Sequence, residues 1–437
     1  MDRDRTAERR NREGFAEVAK GNFKKFKVRV WNFFVVRSAK LLRPLRPVSA
    51  SRWLSGFIAA AAVIALAGCA NVGYYWQSVS GHVGVMRAAR PVPDWLADPA
   101  ASAPLKAKLA LAQRMRRFAV TDLGLPDNAS YTAYADLQRK AAVWNVVAAP
   151  PYSLTLQTWC FPVAGCVGYR GYYREADATA EAATQSAAGL EASVYPVPAY
   201  STLGWLNWAG GDPLLSTFIG YPESELARLI FHELAHQRVY LSGDTLFNES
   251  FATAVERIGG ARWLASQLGP AGDQARADDA QSGARRQQFR ALTLDTRRRL
   301  QGIYDSGPAQ AYDWPAVDAM KAATMAEFRL RYAALRASWP AERQSGYDAW
   351  VARANNAAFG AQAAYDEWVP AFEALFLREN QQPGDPWPRF YAAVERLAAQ
   401  PAEQRRLALQ ALTPTPQTVP NAIPLSITHN KNGTPGV

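Results

Sequence analysis

Two of the four histidines in this 437-residue chain, His232 and His236, lie four positions apart in the run Phe231-His232-Glu233-Leu234-Ala235-His236. On a helix, residues four apart project from one face about a turn from each other, so both imidazoles can converge on one point. The flanking residues specify that helix. Pro222, Glu223 and Glu225 suit a first turn, Leu226, Leu229, Ile230 and Leu234 make an apolar stripe, and Gly243 lies just past the end. Two imidazoles so spaced can grip one zinc ion, and Glu233, next to the first, can reach a water held there without itself being a ligand.

Catalytic zinc usually takes three protein ligands, which calls for a third donor nearby. After the turn Ser242-Gly-Asp-Thr245 a new helix is expected from Phe247, with Glu249 in its first turn, thirteen residues beyond His236. A helix-turn-helix can fold Glu249 back over the histidine pair; Asp244 is the rival donor. The arrangement resembles the gluzincin metallopeptidases, in which an Asn-Glu pair on the second helix supplies the glutamate ligand. The interval here is shorter than in the best-known gluzincins.

Charge is distributed unevenly. Up to Gly68 there are 15 Lys+Arg against 5 Asp+Glu, which leaves 34 against 33 from Cys69 onward. Basic residues ending in Arg43, Arg46 and Arg52 meet an apolar run, Trp53 to Ala67, followed by Gly68-Cys69. Basic, apolar, then small is the layout of a secretory signal, and a run of fifteen uncharged, mostly apolar residues falls short of the ~20 that span a bilayer. The ending Leu66-Ala67-Gly68-Cys69 resembles the bacterial lipobox, whose Cys is lipidated and becomes the first mature residue. Ala70 rather than Asp after the cysteine implies sorting to the outer membrane, on its periplasmic face. The part before Trp53 is longer than a signal needs and carries its own acids, which a true start nearer Val36 would explain. An oxidising periplasm would permit a disulfide between Cys160 and Cys166, six apart with Pro162 and Gly165 between them; the alternative is two unpaired small core residues.

The expected fold class is α+β, mainly helical: a zincin-like helix pair with a small β-sheet layer and a helical C-terminal region. Segments are expected at 1–68 (leader), 69–130 (N-terminal helical), 131–260 (catalytic), 261–412 (helical) and 413–437 (disordered tail). Strands are expected at Ala141–Ala148, Ser153–Cys160, Val167–Tyr173 and Ser193–Val197. Helices are expected at Glu223–Leu241, Phe247–Leu268, Ala275–Ile303, Trp314–Ser338, Ala341–Ala357, Ala361–Arg378 and Pro388–Ala399. Arg285-Arg286 and Arg297-Arg-Arg299, with Asp295 and Asp305 close by, read as a solvated helix face, so no nucleic-acid partner is expected. Nothing in the sequence sets an oligomeric state.

The runs Tyr200-Ser-Thr-Leu-Gly-Trp205, Asp212-Pro-Leu-Leu-Ser-Thr-Phe218 and Phe247-Asn-Glu-Ser-Phe-Ala252, together with the histidine helix and the lipobox, resemble a family of bacterial zinc aminopeptidase lipoproteins. The likeness covers about Val72 to Leu397. It implies a Zn2+ cofactor held by His232, His236 and Glu249, Glu233 as general base, a peptide substrate, and a membrane tether through Cys69. Of three tyrosines that could stabilise an oxyanion, Tyr365, Tyr240 and Tyr200, the first sits C-terminal to Glu249 as the corresponding residue does in gluzincins. Tyr195 to Leu206, with Pro196 and Pro198, could be an edge strand that pairs with an extended peptide. Glu256 and Asp244 could support the histidines, but each is expected as a solvated or capping carboxylate. An alternative is a zincin-fold envelope module for binding or assembly, with little or no turnover.

Overall fold

The computed structural model describes residues 73–161, 165–199, 201–204, 210–363 and 367–413. The expected leader with Cys69, the candidates Tyr200 and Tyr365, and the tail beyond Thr413 lie outside these residues.

Residues 73–88 form α1, followed by β1 (Ala89–Pro91), a short α2 (Val92–Ala97) and α3 (Ala103–Thr121). Ser102 caps α3 by accepting from Leu105 N, and Pro104 presets the first turn. Then come β2 (Ala133–Ala135), β3 (Val143–Ala149), β4 (Trp159–Phe161), β5 (Gly165–Val167), β6 (Arg170–Tyr172), α4 (Glu175–Ala187), β7 (Glu191–Val197) and β8 (Leu214–Leu215). The remainder is helical: α5 (Glu223–Arg238), α6 (Thr245–Ser266), α7 (Gly269–Tyr304), a turn at Gly307–Gln310, α8 (Trp314–Ala337), a 3-10 segment (Ala341–Tyr347), α9 (Asp348–Arg353), α10 (Asn356–Ala363), α11 (Val369–Asn380), α12 (Pro386–Ala398) and α13 (Ala402–Leu412). The chain is thus mainly helical with small sheets, as the α+β class expects.

The strands form three separate sheets rather than one layer. β2 lies between β1, antiparallel, and β8, parallel; β3 lies between β6 and β7, antiparallel to both; β4 and β5 form a two-stranded ribbon. Cys160 faces Cys166 in that ribbon and the two are disulfide-bonded. Most strands are two or three residues long, and Gly168 lies in the break between β5 and β6. The expected strand from Ser153 is regular only from Trp159, and Val167–Tyr173 divides between β5 and β6. β7 is an edge strand, as Pro196 requires. Val197 O accepts from Ala142 N on the β3 side, so Pro196 turns its missing donor outward.

Two expected helices are broken in the structure. Ala341–Ala357 becomes the 3-10 segment and α9, then stops, because Asn355 and Asn356 satisfy other groups. Asn356 donates to Pro150 O and Pro151 O, and Asn355 donates to Ala192 O while accepting from Ala358 N to cap α10. Ala361–Arg378 divides because Pro370 opens a new helix, α11, in its first turn.

The main core joins α3 and the β1-β2-β8 sheet to α5, α6, α11 and α12, and so unites sequence-distant helices around the histidine helix. Phe247 and Phe251 of α6 pack edge-on against Phe372 of α11, with ring centroids 5.2 and 5.9 Å apart. A second cluster, built on Phe289, Phe328, Tyr332, Trp339 and Phe359, holds α7 to α8 and to α10. At the crossing of α5 and α6, a Cβ on Gly259 would meet Leu123 Cδ1 at 2.7 Å and Phe231 Cδ2 at 3.1 Å. Helix propensity alone favours Ala over Gly by ~1 kcal/mol. Overpacking costs about 1–3 kcal/mol and reverses the sign, so Gly259→Ala should lower the denaturant midpoint. An unchanged or raised midpoint would show that the α5–α6 contact relaxes.

Candidate metal centre

α5 ends at Arg238, three residues earlier than the periodicity suggests, because Val239 turns extended. What takes over is a side chain. Asn248, buried in the first turn of α6, accepts from Leu241 N at 2.8 Å and donates to Leu241 O at 2.7 Å, as a neighbouring strand would. This pair of bonds holds the returning chain against the start of α6, and the next residue is Glu249. Asp244 caps α6 by accepting from Phe247 N at 3.0 Å, and its other oxygen takes two bonds from the Arg405 guanidinium. The start of β5 closes on the same turn. Gly165, at φ +76°, lies so near that a Cβ would come 2.5 Å from Gly243 N.

With the turn so held, three donors converge. His232 Nε2 and His236 Nε2 are 3.1 Å apart, and Glu249 Oε2 lies 3.3 Å from the first and 3.7 Å from the second. Ligands at 2.0–2.1 Å around a tetrahedral zinc stand about 3.3–3.4 Å from one another, so this set fits such an ion. It is the one group of three metal-type donors found among the described residues. Asp244, the rival third ligand, is not part of it.

Glu256 is brought in instead, contrary to the expectation of a solvated or capping carboxylate. Its Oε2 is 2.8 Å from His232 Nδ1. Seven residues after Glu249 on the same helix, it falls on the same face two turns on. A proton on Nδ1, donated to Glu256, leaves Nε2 of a neutral imidazole as a bare lone pair aimed at the cluster. Two such lone pairs 3.1 Å apart repel unless a cation or a proton lies between them. His236 Nδ1 is buried and has no partner among the described residues.

The electrostatics follow from this crowding. Burial by itself lowers the His232 imidazolium, but hydrogen bonds and charge from Glu249 and Glu256 outweigh it and hold the pKa well above the usual imidazole range. Burial raises Glu249, and the two histidines pull it far below the ordinary carboxylate range. Glu233 has no such hydrogen bonds among the described residues. Desolvation raises its carboxyl, only partly opposed by His232 and His236.

A cleft of about 1210 Å³ opens onto His232, Glu233 and Glu256, and runs between α5 and α7 past Arg228, Arg285 and Tyr347. Three tyrosines lie within electrostatic reach of Glu249: Tyr240, an expected candidate, Tyr195 on β7, and Tyr169 between β5 and β6. Burial raises all three phenols, Tyr195 to about 12, so each keeps its proton at neutral pH. Tyr169, which also feels Glu233, carries no sequence signal: it precedes a three-residue strand and is far from both helices in the chain.

A protein-family profile described as "Putative aminopeptidase" matches residues 73–409, over three quarters of the chain. No curated protein and no solved structure matches.

Proposed function

We propose, from the premise that this chain belongs to that aminopeptidase family, that it is a zinc metallopeptidase of the zincin type whose site is His232, Glu233, His236 and Glu249. Family membership supports peptide-bond hydrolysis, and the donor set of His232, His236 and Glu249 supports zinc. The observation that carries it is the convergence of three donor atoms at tetrahedral spacing beside a desolvated glutamate that opens onto the cleft.

His232, His236 and Glu249 would hold the ion. When bound, zinc supplies Lewis acidity, polarising a carbonyl and lowering the pKa of water to about 7. Glu233 takes the proton from the attacking water and returns it to the leaving amine, and its raised pKa brings it nearer to that task. Glu256 keeps the His232 ring in the tautomer that presents Nε2. Tyr169, Tyr195 and Tyr240 are the described donors that can stabilise developing charge on the carbonyl oxygen. Glu256→Gln should weaken zinc affinity or activity by 10–100-fold, measured by competition with a chelator. If affinity and activity both stay at the wild-type level, Glu256 is only a neighbour.

The reading extends to location: lipidation at Cys69, after removal of the basic leader, would tether the enzyme to the periplasmic face of the outer membrane. Mass measurement of the mature N-terminus tests this directly, and an unmodified Cys69 would refute it. The test of function is metal content with hydrolysis of aminoacyl and peptide reporters. A metal-free protein, or one inert across a broad peptide library, would remove the reading.

A further inference from the structure

Helix α1 turns an apolar stripe toward solvent, while its inward side mixes polar and apolar groups. Gln77 donates to Gly171 O at 3.2 Å and accepts from Tyr173 N at 3.1 Å, Ser78 bonds back to Tyr74 O, and a Cβ on Gly81 would strike the Tyr173 ring. Tyr74 stacks on Phe161 and lies under the Arg170 guanidinium, and Val85 enters the main core. These contacts fix the rotation of the helix. They leave Tyr75, Trp76, Val79 and Val83 outward, with exposures of 42, 73, 58 and 38%.

Soluble surface helices show the opposite arrangement, and an exposed apolar stripe marks something that covers it. Over residues 73–88 there is no acidic residue; the basic ones are the half-buried His82 and Arg87, the latter exposed on the same stripe four positions beyond Val83. Tyr and Trp beside aliphatic residues, with a cation at one end, are the chemistry of a bilayer interface, where rings sit at headgroup level and Arg meets phosphate. Tyr75 follows Cys69 by six residues, a reach of at most about 20 Å of extended chain. No helix among the described residues is long and apolar enough to cross a membrane, so this face would lie on the surface.

We infer that α1 is a second membrane contact: its outward face of Tyr75, Trp76, Val79 and Val83 docks on the phospholipid interface. The inference rests on the proposed tether at Cys69 for delivery to the membrane. Docking α1 restricts how the catalytic unit can turn on its tether.

The test uses the chain from Ala70 to Val437, which contains the whole compact unit that begins at Gly73 and lacks leader and acyl group. It is sedimented with vesicles of phosphatidylethanolamine and phosphatidylglycerol at high salt, where apolar contact persists and surface charge is screened. The double substitution W76S/V79S should weaken partitioning by about ten-fold or more, and Ser80→Leu, on the same face, should strengthen it. An unchanged thermal midpoint in each variant shows that the fold is intact. Equal partitioning of all three proteins overturns the inference. So does a dimer in velocity sedimentation that W76S/V79S dissociates, because the face then covers a second copy of the chain. Neither readout involves hydrolysis or the acyl group, so failure of the peptidase or tether reading is seen separately.

Discussion

Glu233→Gln should lower the turnover of peptide reporters by about 10²–10⁴-fold while zinc remains bound at the wild-type level. Gln keeps the size of the side chain and removes its capacity to accept a proton. Glu233 makes none of the close contacts that join His232, His236, Glu249 and Glu256, so the donor cluster should survive the change. Removing a buried carboxylate that burial already disfavours should not destabilise the fold, and the thermal midpoint should stay level or rise. Rate, metal content and midpoint together form the check. A variant that hydrolyses at more than a tenth of the wild-type rate would assign the base elsewhere, and one that loses zinc would make Glu233 part of the metal's surroundings.

The second large effect is at the third ligand. Glu249→Ala should leave the purified protein with almost no zinc and no measurable hydrolysis, because two imidazoles alone form an incomplete site. The loss should exceed the 10–100-fold expected at Glu256, which acts through His232 rather than on the ion. Asp244→Ala provides the contrast. It removes a helix cap, worth about 0.5–2 kcal/mol, and the partner of Arg405. Its denaturant midpoint should fall while zinc stays bound. If instead the Asp244 variant loses the metal at native conditions and the Glu249 variant keeps it, the assignment is reversed. Removal of zinc by a chelator should abolish turnover in the wild type, and zinc added back should restore it.

The histidine helix was legible because everything that defines it is local. Pro222, the acidic first turn, the stripe of Leu226, Leu229, Ile230 and Leu234, and the spacing of the two histidines all lie within one run of chain. The interruptions near Asn355 and Pro370 were less legible. An Asn in an apolar helical pattern stops the helix only if distant backbone, here Pro150, Pro151 and Ala192, stands ready to receive its amide. Glu256 shows the same limit at the site. Its spacing from Glu249 is written in the sequence, but its partner is a ring on another helix.

By itself the sequence determined the α5 helix, the pair of imidazoles on one face, the glutamate between them and the mainly helical class, because periodicity and capping act over a few residues. Only the tertiary structure decided that Glu249 rather than Asp244 joins the histidines, that Glu256 holds His232, that Tyr169 and Tyr195 approach the carboxylates, and that α1 turns its aromatic face outward. Those outcomes depend on how one element is rotated and pressed against another. The rotation is set by contacts between elements, such as Asn248 on Leu241 and Tyr173 under Gly81, which no spacing along the chain encodes.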